Sequence, residues 1–407
     1  MSKPAKSETN PPEQGVSRRD FLKKGALAVA SLTAAGYILK QDFFKNVLLG
    51  SPADSITPFK TKITLGKWTR KAYYHTSRGG LIECGLCPNE CRLDVGGRGI
   101  CRSRVNVNGV LHTLSYGNPC SVNIDPIEKK PLYHFLPETK AFSIATGGCN
   151  LRCKFCQNWE ISQTNPEDLK TYEMPPEKLV ENVLTAKSRD SLVKSIAYTY
   201  SEPTAFYDYM LDSSKLAKSK GIRNTVITAG YINEKPLKEL CSHVHAIKVD
   251  LKGFSEKFYR DVCAAELEDV LSSLKVIHSQ KGVWLEIVNL VVPTLNDDLD
   301  EIKAMSEWVN SNLGSEVPLH FSRFHPDYKL KNLPPTPPET LVKAQEIAFN
   351  AGLKYVYIGN LATEKGGNTY CPRDETLCVE RNGYIVKNHL KDGKCPTCGT
   401  NISGIWI

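Results

Sequence analysis

The feature that most constrains this chain is a three-cysteine run, Cys149-x3-Cys153-x2-Cys156. Three thiols at this spacing can close as a compact loop around one small metal cluster, whereas a [4Fe-4S] cube needs four thiolates, so one iron is left open. Residues 141–146 are apolar and predict a short buried strand. The loop is therefore expected at a strand's carboxyl end, where α/β barrels carry active sites. A structural zinc site, or a ferredoxin-type cluster completed by a remote cysteine, is the alternative.

From residue 141 onward, apolar strands alternate with helical stretches, which is the pattern of βα units around a parallel sheet. Strands are predicted near 141–146, 195–200, 223–228, 244–250, 283–292, 317–322 and 354–358, and helices near 176–188, 203–219, 234–241, 266–281, 297–312 and 338–351. The predicted fold class is α/β, a partial barrel of six or seven βα units. Residues 109–117 and 131–136 are predicted to be short strands that lead into it.

The sequence divides into four predicted parts. They are a signal or anchor segment at 1–40, a linker with a cysteine-rich module at 41–135, the partial barrel at 136–362 and a cysteine-bearing tail at 363–407. In the first part, Arg18 and Arg19 precede Phe-Leu-Lys and an uncharged run from Gly25 to Leu39, an order that resembles a twin-arginine export signal. A basic amphipathic helix is the alternative. Whether the segment is cleaved, retained as an anchor or used at all stays open.

Charge and cysteine usage exclude some classes. The net charge is +8, but residues 1–40 hold seven basic and three acidic residues, so only +4 remains for the rest. No basic stripe interleaved with aromatic residues is found, and nucleic-acid binding is not expected. Eleven of the fourteen cysteines fall in tight clusters, unlike the even spread of a disulfide framework, and are interpreted as metal ligands.

Two of those clusters lie outside the central run. The first comprises Cys84, Cys87, Cys91 and Cys101, with intervening glycines that permit sharp turns. Zinc, an auxiliary [4Fe-4S] cluster or free cysteines all fit this spacing.

The second cluster, in the tail, resembles a zinc ribbon with one intact knuckle. It comprises Cys371, Cys378, Cys395 and Cys398, with Asp374 at the place where a fourth thiolate is usual. We predict Cys378 as the fourth ligand because a thiolate is the softer donor. A carboxylate ligand from Asp374, or a ribbon that binds no metal, is the alternative.

Polar residues occur where the predicted strands end. Glu202 precedes Pro203, which fits the first turn of a helix. Asp250 and Lys252 share one side of an extended chain because strand side chains alternate. The later candidates are Glu286, Asn289, His320, Arg323 and His325. A buried structural ion pair is the alternative for Asp250 and Lys252.

The motifs together resemble a known family. Cys84-Gly-Leu-Cys87-Pro, the run from Cys149 to Gln163, Tyr198-Thr-Tyr-Ser-Glu202-Pro and Phe321-Ser-Arg-Phe-His-Pro-Asp327-Tyr328 are similar to the radical SAM protein of the AmmeMemoRadiSam system, a relative of the pyruvate formate-lyase activating enzymes. The resemblance covers roughly residues 65–407. It implies a partial barrel, a [4Fe-4S] cluster and S-adenosylmethionine (SAM), whose amino and carboxylate groups chelate the open iron. An injected electron then cleaves SAM to methionine and a 5′-deoxyadenosyl radical that abstracts hydrogen from a substrate.

The resemblance also assigns roles. Glu202 stands where such enzymes usually carry a Gly-Gly-Glu motif that binds the SAM ammonium, although Tyr200 and Ser201 replace the glycines here. Asp250 and Lys252 resemble a position in glycyl-radical activating enzymes. The predicted cofactor-binding residues are Glu202, Asp250, Lys252 and His325, and no catalytic residue is named.

The predicted function is therefore radical SAM chemistry on an undefined substrate. One option is activation of a glycyl-radical enzyme, and another is direct modification of a small molecule or protein side chain. From a different class, an iron-sulfur electron-transfer protein is the rival. Expected partners are a low-potential electron donor and either a protein substrate or other proteins of the AmmeMemoRadiSam system. The export signal conflicts with a chemistry whose SAM and reductant are cytoplasmic.

Overall fold

The structure is a computed structural model that describes residues 65–363 and 365–406. The predicted signal or anchor segment, residues 1–40, lies outside the described residues. No helix in the described part of the chain is long and apolar enough to cross a membrane.

Two small antiparallel sheets come first in the described chain. Their strands are β1 (Arg70–Lys71), β2 (His75–Arg78), β3 (Leu81–Cys84), β4 (Arg92–Leu93), β5 (Arg104–Val107) and β6 (Val110–Thr113). They pair in the orders β1-β6-β5 and β2-β3-β4. The β5-β6 hairpin turns at Asn108-Gly109, both at positive φ, which is the conformation that a two-residue hairpin turn requires.

The central sheet has eight strands. They are β7 (Ser121–Pro126), β8 (Lys140–Ala145), β9 (Val193–Tyr198), β10 (Arg223–Thr228), β11 (Ala246–Asp250), β12 (Trp284–Val291), β13 (Leu319–Arg323) and β14 (Val356–Gly359). Strands β8 to β14 are parallel and adjacent in chain order, and β7 joins the outer edge of β8 antiparallel. In the described residues β7 and β14 do not pair, so the sheet is open. The predicted α/β fold with a partial parallel sheet is confirmed.

Helices connect the parallel strands. They are α1 (Trp159–Ser162), α2 (Pro176–Arg189), α3 (Tyr207–Ser219), α4 (Glu234–Cys241), α5 (Glu256–Phe258), α6 (Leu267–Ser279), α7 (Leu299–Leu313) and α8 (Pro338–Asn350). Short 3-10 turns lie at Ile127–Lys129, Pro166–Asp168 and Pro203–Phe206, and a π-helical turn lies at Tyr259–Cys263. In α4 the buried residues Leu237, Leu240 and Cys241 follow the spacing of one helix face, which packs toward the sheet.

Two elements before the first parallel strand differ from the prediction. Residues 131–136 are not a strand, because the backbone N–H groups of Tyr133 and His134 donate to the Glu286 carboxylate instead of to a ladder. The strand is Ser121–Pro126, which pairs along its full length with β8. The central sheet therefore begins at Ser121, ahead of the predicted boundary at residue 136.

The tail folds as a small antiparallel sheet, and its last residues pair with the 131–136 segment. Its strands are β15 (Thr369–Tyr370), β16 (Leu377–Asn382) and β17 (Ile385–Asn388). The Ile405 N–H donates to the His134 carbonyl, and the Leu136 N–H donates to the Ile405 carbonyl, both at 2.7 Å.

Burial lowers the pKa of His134 to about 4, so its ring is neutral in the folded chain near pH 7.

Candidate functional site

The three-cysteine loop lies at the carboxyl end of β8. Its backbone is fixed from two directions: the Gly148 N–H donates to the Ile161 carbonyl at 3.0 Å, and the Arg152 N–H donates to the Cys263 carbonyl at 2.8 Å. Cys153 is buried, while Cys149 and Cys156 are partly buried. The structure therefore places the three thiols where the sequence predicts them, at the edge of the sheet formed by the carboxyl ends of the parallel strands.

The spacing of these thiols bears on which metal group they suit. A single tetrahedral zinc ion brings its sulfur ligands to about 3.8 Å from one another. Among the described residues, the set whose ligand atoms all lie within 4.8 Å of one another is in the tail and does not include this loop. The backbone also contacts one thiol, since the Leu151 N–H donates to Cys149 Sγ at 3.4 Å. Three thiols on one short loop suit three thiolates of a cluster, each of which binds a different iron.

A buried carboxylate stands beside the loop. Glu202 is 4% exposed and caps the 3-10 turn that follows β9. Its Oε1 accepts from Thr204 N at 3.1 Å and from Thr228 Oγ1 at 2.5 Å, and its Oε2 accepts from Ala229 N at 2.8 Å. Burial first, and then the Glu202 charge, raise the pKa of Cys149. Glu202 thus ties the ends of β9 and β10 together next to the cysteine loop.

Three charged side chains lie at the carboxyl end of β11. Asp250 is the last residue of that strand, and Lys252 Nζ lies 3.4 Å from its Oδ2. Lys248 Nζ pairs with Oδ1 of the same carboxylate. Burial alone would raise the pKa of Asp250, but the two ammonium groups lower it, so the carboxylate is ionised. The predicted proximity of Asp250 and Lys252 is observed, and Lys248 is a third member that the sequence analysis did not single out.

Two of the later candidate residues, Glu286 and His320, lie within their strands and not at the strand ends. Glu286 is the third residue of β12, five residues before the end of that strand, and its carboxylate accepts from His320 Nε2 at 2.8 Å. Both side chains are buried against the 131–136 segment. Placing Glu286 and His320 at strand ends is therefore wrong, since Glu286 is the third of eight residues in β12 and His320 is the second of five in β13.

Three other candidates lie nearer the carboxyl ends of the parallel strands. Asn289 is buried, and its Nδ2 donates to the Leu251 carbonyl at 2.8 Å. Arg323 ends β13, and its Nε donates to the Thr336 carbonyl at 2.8 Å. His325 follows that strand and is exposed. Of these three, only Asn289 contacts the Asp250–Lys252 segment among the contacts described.

Two further features were missed. On the antiparallel strand β7, Asp125 accepts from Lys130 Nζ at 2.6 Å and from the Tyr200 hydroxyl. Burial lowers the pKa of Lys130 to about 8. The second feature is Cys263, a buried cysteine in the π-helical turn whose carbonyl accepts from the Arg152 N–H, next to Cys153. Neither stands out in sequence, because β7 has little strand propensity and Cys263 has no cysteine nearby in the chain.

Comparison with known proteins decides the family. A family model described as the radical SAM superfamily matches residues 143–309, from β8 into α7. An uncharacterized protein of Methanocaldococcus jannaschii is 46% identical over 333 residues, which is 81% of this chain and 97% of that protein. This chain belongs to the radical SAM superfamily. Members of the superfamily use a [4Fe-4S] cluster and SAM, and the chain is an enzyme of that class.

Activating enzymes are among the radical SAM relatives. The pyruvate formate-lyase-activating enzyme of Clostridium pasteurianum is 24% identical over 200 residues, which is 46% of this chain and 80% of that enzyme. In solved structures, a domain of the pyruvate-formate lyase-activating enzyme of Bacteroides vulgatus is 17% identical, with a TM-score of 0.36, over 41% of this chain and 99% of that domain.

The tail of this radical SAM protein holds a second site of potential ligands. Ligand atoms of Cys371, Asp374, Cys395 and Cys398 all lie within 4.8 Å of one another. The Sγ atoms of Cys371 and Cys398 are 3.6 Å apart, as a single ion requires.

The geometry of the tail favours Asp374 over Cys378, contrary to the sequence-based choice. The chain turns tightly after Cys371, where the Cys371 N–H donates to the Thr376 carbonyl and Glu375 has a φ of 58°. This turn brings the Asp374 carboxylate to within 3.6 Å of Cys395 Sγ. Cys378 already belongs to β16, and its thiol donates to the Thr376 carbonyl.

Proposed function

We propose that the chain binds a [4Fe-4S] cluster through Cys149, Cys153 and Cys156 and cleaves SAM reductively at the open iron. The observation that carries the proposal is the position of these three thiols, at the carboxyl end of the first parallel strand and beside the buried Glu202. The bound group would supply a 5′-deoxyadenosyl radical able to abstract hydrogen from a substrate.

The chain's own residues would orient SAM. Glu202 has both oxygens directed by donors from the 3-10 turn after β9 and from the carboxyl end of β10, which fixes the carboxylate where it could accept one more hydrogen bond, from the SAM ammonium. Asp250 is held by Lys248 and Lys252 and could accept from a ribose hydroxyl, while Lys252 could pair with a carboxylate. We include His325 as a fourth candidate because it follows the end of β13.

The experiment that tests this function is anaerobic reconstitution with iron and sulfide, followed by dithionite and SAM. The enzyme should release 5′-deoxyadenosine and methionine in equal amounts, measured by mass spectrometry. An iron-sulfur electron carrier would accept the electron and make neither product.

We propose a partner protein as the substrate, with hydrogen taken from a glycine, in preference to a small molecule. The similarity to an enzyme named for activating pyruvate formate-lyase supports this choice. A low-potential one-electron donor is required. Membership of the AmmeMemoRadiSam system, and partners from it, rest on the motif resemblance described above.

Glu202→Gln is expected to weaken SAM binding about 10- to 150-fold, since a hydrogen bond to a charged group contributes ~1.5 to 3 kcal/mol. Glu202 is not a cluster ligand in this proposal, so the iron content should match the wild type. Isothermal titration with SAM on the reconstituted protein measures the affinity. An unchanged dissociation constant would remove Glu202 from the SAM site.

We propose zinc for the tail site, bound by Cys371, Asp374, Cys395 and Cys398. In the full-length protein, Asp374→Ala should weaken zinc binding by more than the roughly 10-fold typical of losing an outer-shell partner. The matched control Cys378→Ala should leave it unchanged. Zinc retention against a chelator distinguishes the two variants. Loss of zinc from Cys378→Ala alone would restore Cys378 as the ligand.

We propose that residues 1–40 direct twin-arginine export, on the basis of their sequence pattern. Residues 1–45 fused to a fluorescent reporter should be exported, and changing Arg18 and Arg19 to lysine should stop export. A reporter that still reaches the periplasm with both lysines in place would refute this route.

A further inference from the structure

A second cysteine site lies in the amino-terminal sheets. Cys84 ends β3, Cys87 and Cys91 lie in the loop that leads to β4, and Cys101 lies in the glycine-bearing loop before β5. All four line one small pocket. Four thiols from separate turns therefore converge on a shared space.

The arrangement of these thiols differs from that of the tail site. A tetrahedral zinc site holds its sulfurs about 3.8 Å apart. Among the described residues, the group of three or more possible ligands that lie mutually within 4.8 Å is the tail site. A pocket bounded by four thiols suits a cube, in which each thiolate binds a different iron.

Polar groups around the cavity face the sulfurs. Arg104 Nη1 lies 3.7 Å from Cys84 Sγ, Asn89 Nδ2 lies 3.7 Å from Cys87 Sγ, and the Ser103 hydroxyl lies 3.4 Å from Cys101 Sγ. Donors to cluster sulfurs of this kind set the reduction potential of iron-sulfur centres. The same donors could bond to the sulfurs of a cluster held by these cysteines.

Two buried polar atoms on the cavity wall have no protein partner. They are Arg104 Nε and Asn150 Oδ1, on side chains that are each 1% exposed. Leaving a buried donor unpaired costs about 1 to 3 kcal/mol, and more for a charged group. An anionic cluster in the cavity would provide Arg104 Nε with an acceptor.

We propose that Cys84, Cys87, Cys91 and Cys101 bind an auxiliary [4Fe-4S] cluster. All four irons of this cube are ligated by thiolates, so it has no open iron for SAM. It is distinct from the cluster proposed for Cys149, Cys153 and Cys156.

The two proposed clusters are neighbours. Asn89 Nδ2 donates to the carbonyl of Asn150 at 2.9 Å, and Asn150 directly follows Cys149. A Cβ added to Gly148, which has a φ of 102°, would lie 2.3 Å from the Cys101 carbonyl oxygen. Because the two ligand loops touch at these points, the unpaired spins of the two reduced clusters should interact.

The test counts metals in the full-length protein after anaerobic reconstitution. The wild type should hold about eight irons and eight sulfides, and the triple variant Cys149→Ala/Cys153→Ala/Cys156→Ala should keep about four of each. The dithionite-reduced triple variant should give one cluster signal in electron paramagnetic resonance that SAM does not alter. The wild-type signal should be broadened relative to it by the interaction between the clusters.

A second variant keeps the proposal open to refutation if the triple variant does not fold. Cys87→Ala/Cys101→Ala should fall from about eight to about four irons, and Cys241→Ala, a buried cysteine in α4, should retain all eight. Zinc in place of iron at Cys84–Cys101, or a Cys87→Ala/Cys101→Ala variant that still holds about eight irons, overturns the proposal. The variant Cys395→Ser/Cys398→Ser separates zinc bound by the tail from zinc bound here.

Discussion

A chain with Cys149, Cys153 and Cys156 replaced by alanine is expected to make no 5′-deoxyadenosine above background from SAM and dithionite. The three thiols are the only cysteines in the loop at the carboxyl end of β8, and removing them leaves the proposed cluster without its ligands. Single-turnover product analysis by mass spectrometry measures the loss. The free energy of unfolding, measured in parallel, separates a missing cluster from a missing fold.

Cys263→Ala is the matched control. Cys263 is a buried cysteine outside the loop, and its carbonyl accepts from the N–H of Arg152, the residue before Cys153. If only three thiolates bind the cluster, Cys263→Ala should still cleave SAM. Product from the triple variant, or its complete loss from Cys263→Ala, would contradict the three-thiolate assignment.

Asp208→Ala is expected to lower the free energy of unfolding by about 3 to 5 kcal/mol, because it leaves a buried charge without its partner. Asp208 and Arg104 are paired and each side chain is 1% exposed. Asp208 also accepts from the Tyr73 N–H at 2.5 Å, and Arg104 Nη1 donates to the Tyr73 carbonyl at 2.7 Å. The pair thus joins the amino-terminal sheets to α3. Urea unfolding followed by circular dichroism gives the value.

The double variant Arg104→Met/Asp208→Leu is the control for this pair. Replacing both buried charges with apolar groups of similar size is often close to neutral, so the double variant should be more stable than Asp208→Ala alone. A loss of unfolding free energy below about 1 kcal/mol for Asp208→Ala would place the pair in the range of exposed salt bridges. The pair would then not be what holds the amino-terminal sheets to α3.

Most of the parallel sheet was predictable from the sequence. Strand 223–228 and helix 234–241 were predicted with the bounds that the structure has. The strand is a buried run with a glycine beyond each end, Gly221 and Gly230, and both glycines adopt positive φ. In such βα units the local pattern and the tertiary packing agree, which is why the sequence alone identifies them.

The edge strand was not predictable in the same way. Ser121–Pro126 contains Asn, Asp and Pro, residues that are depleted in strands, and it forms because β8 offers an unpaired edge. The largely apolar residues 131–136 predict a strand, but in the structure they bind the tail through Ile405 and surround the Glu286 carboxylate. In both places a long-range contact overrides the local preference.

The candidate site was predicted in part. The cysteine loop and the Asp250–Lys252 contact follow from spacing and strand alternation. Lys248 was missed because a lysine within a buried strand resembles a surface residue until its partner is known. The choice of Cys378 over Asp374 relies on donor softness, whereas the tight turn after Cys371 brings the Asp374 carboxylate among the other three possible ligands.

The most direct test of an open iron is electron-nuclear double resonance on the reduced protein with SAM isotopically labelled in its amino nitrogen and carboxylate oxygens. If three thiolates hold the cluster, the amino and carboxylate groups of SAM bind the fourth iron, and both labels should show hyperfine coupling to the cluster. The same coupling is expected in Cys263→Ala and absent in the triple alanine variant. A wild-type cluster that is reduced but shows no coupling to either label would contradict the account.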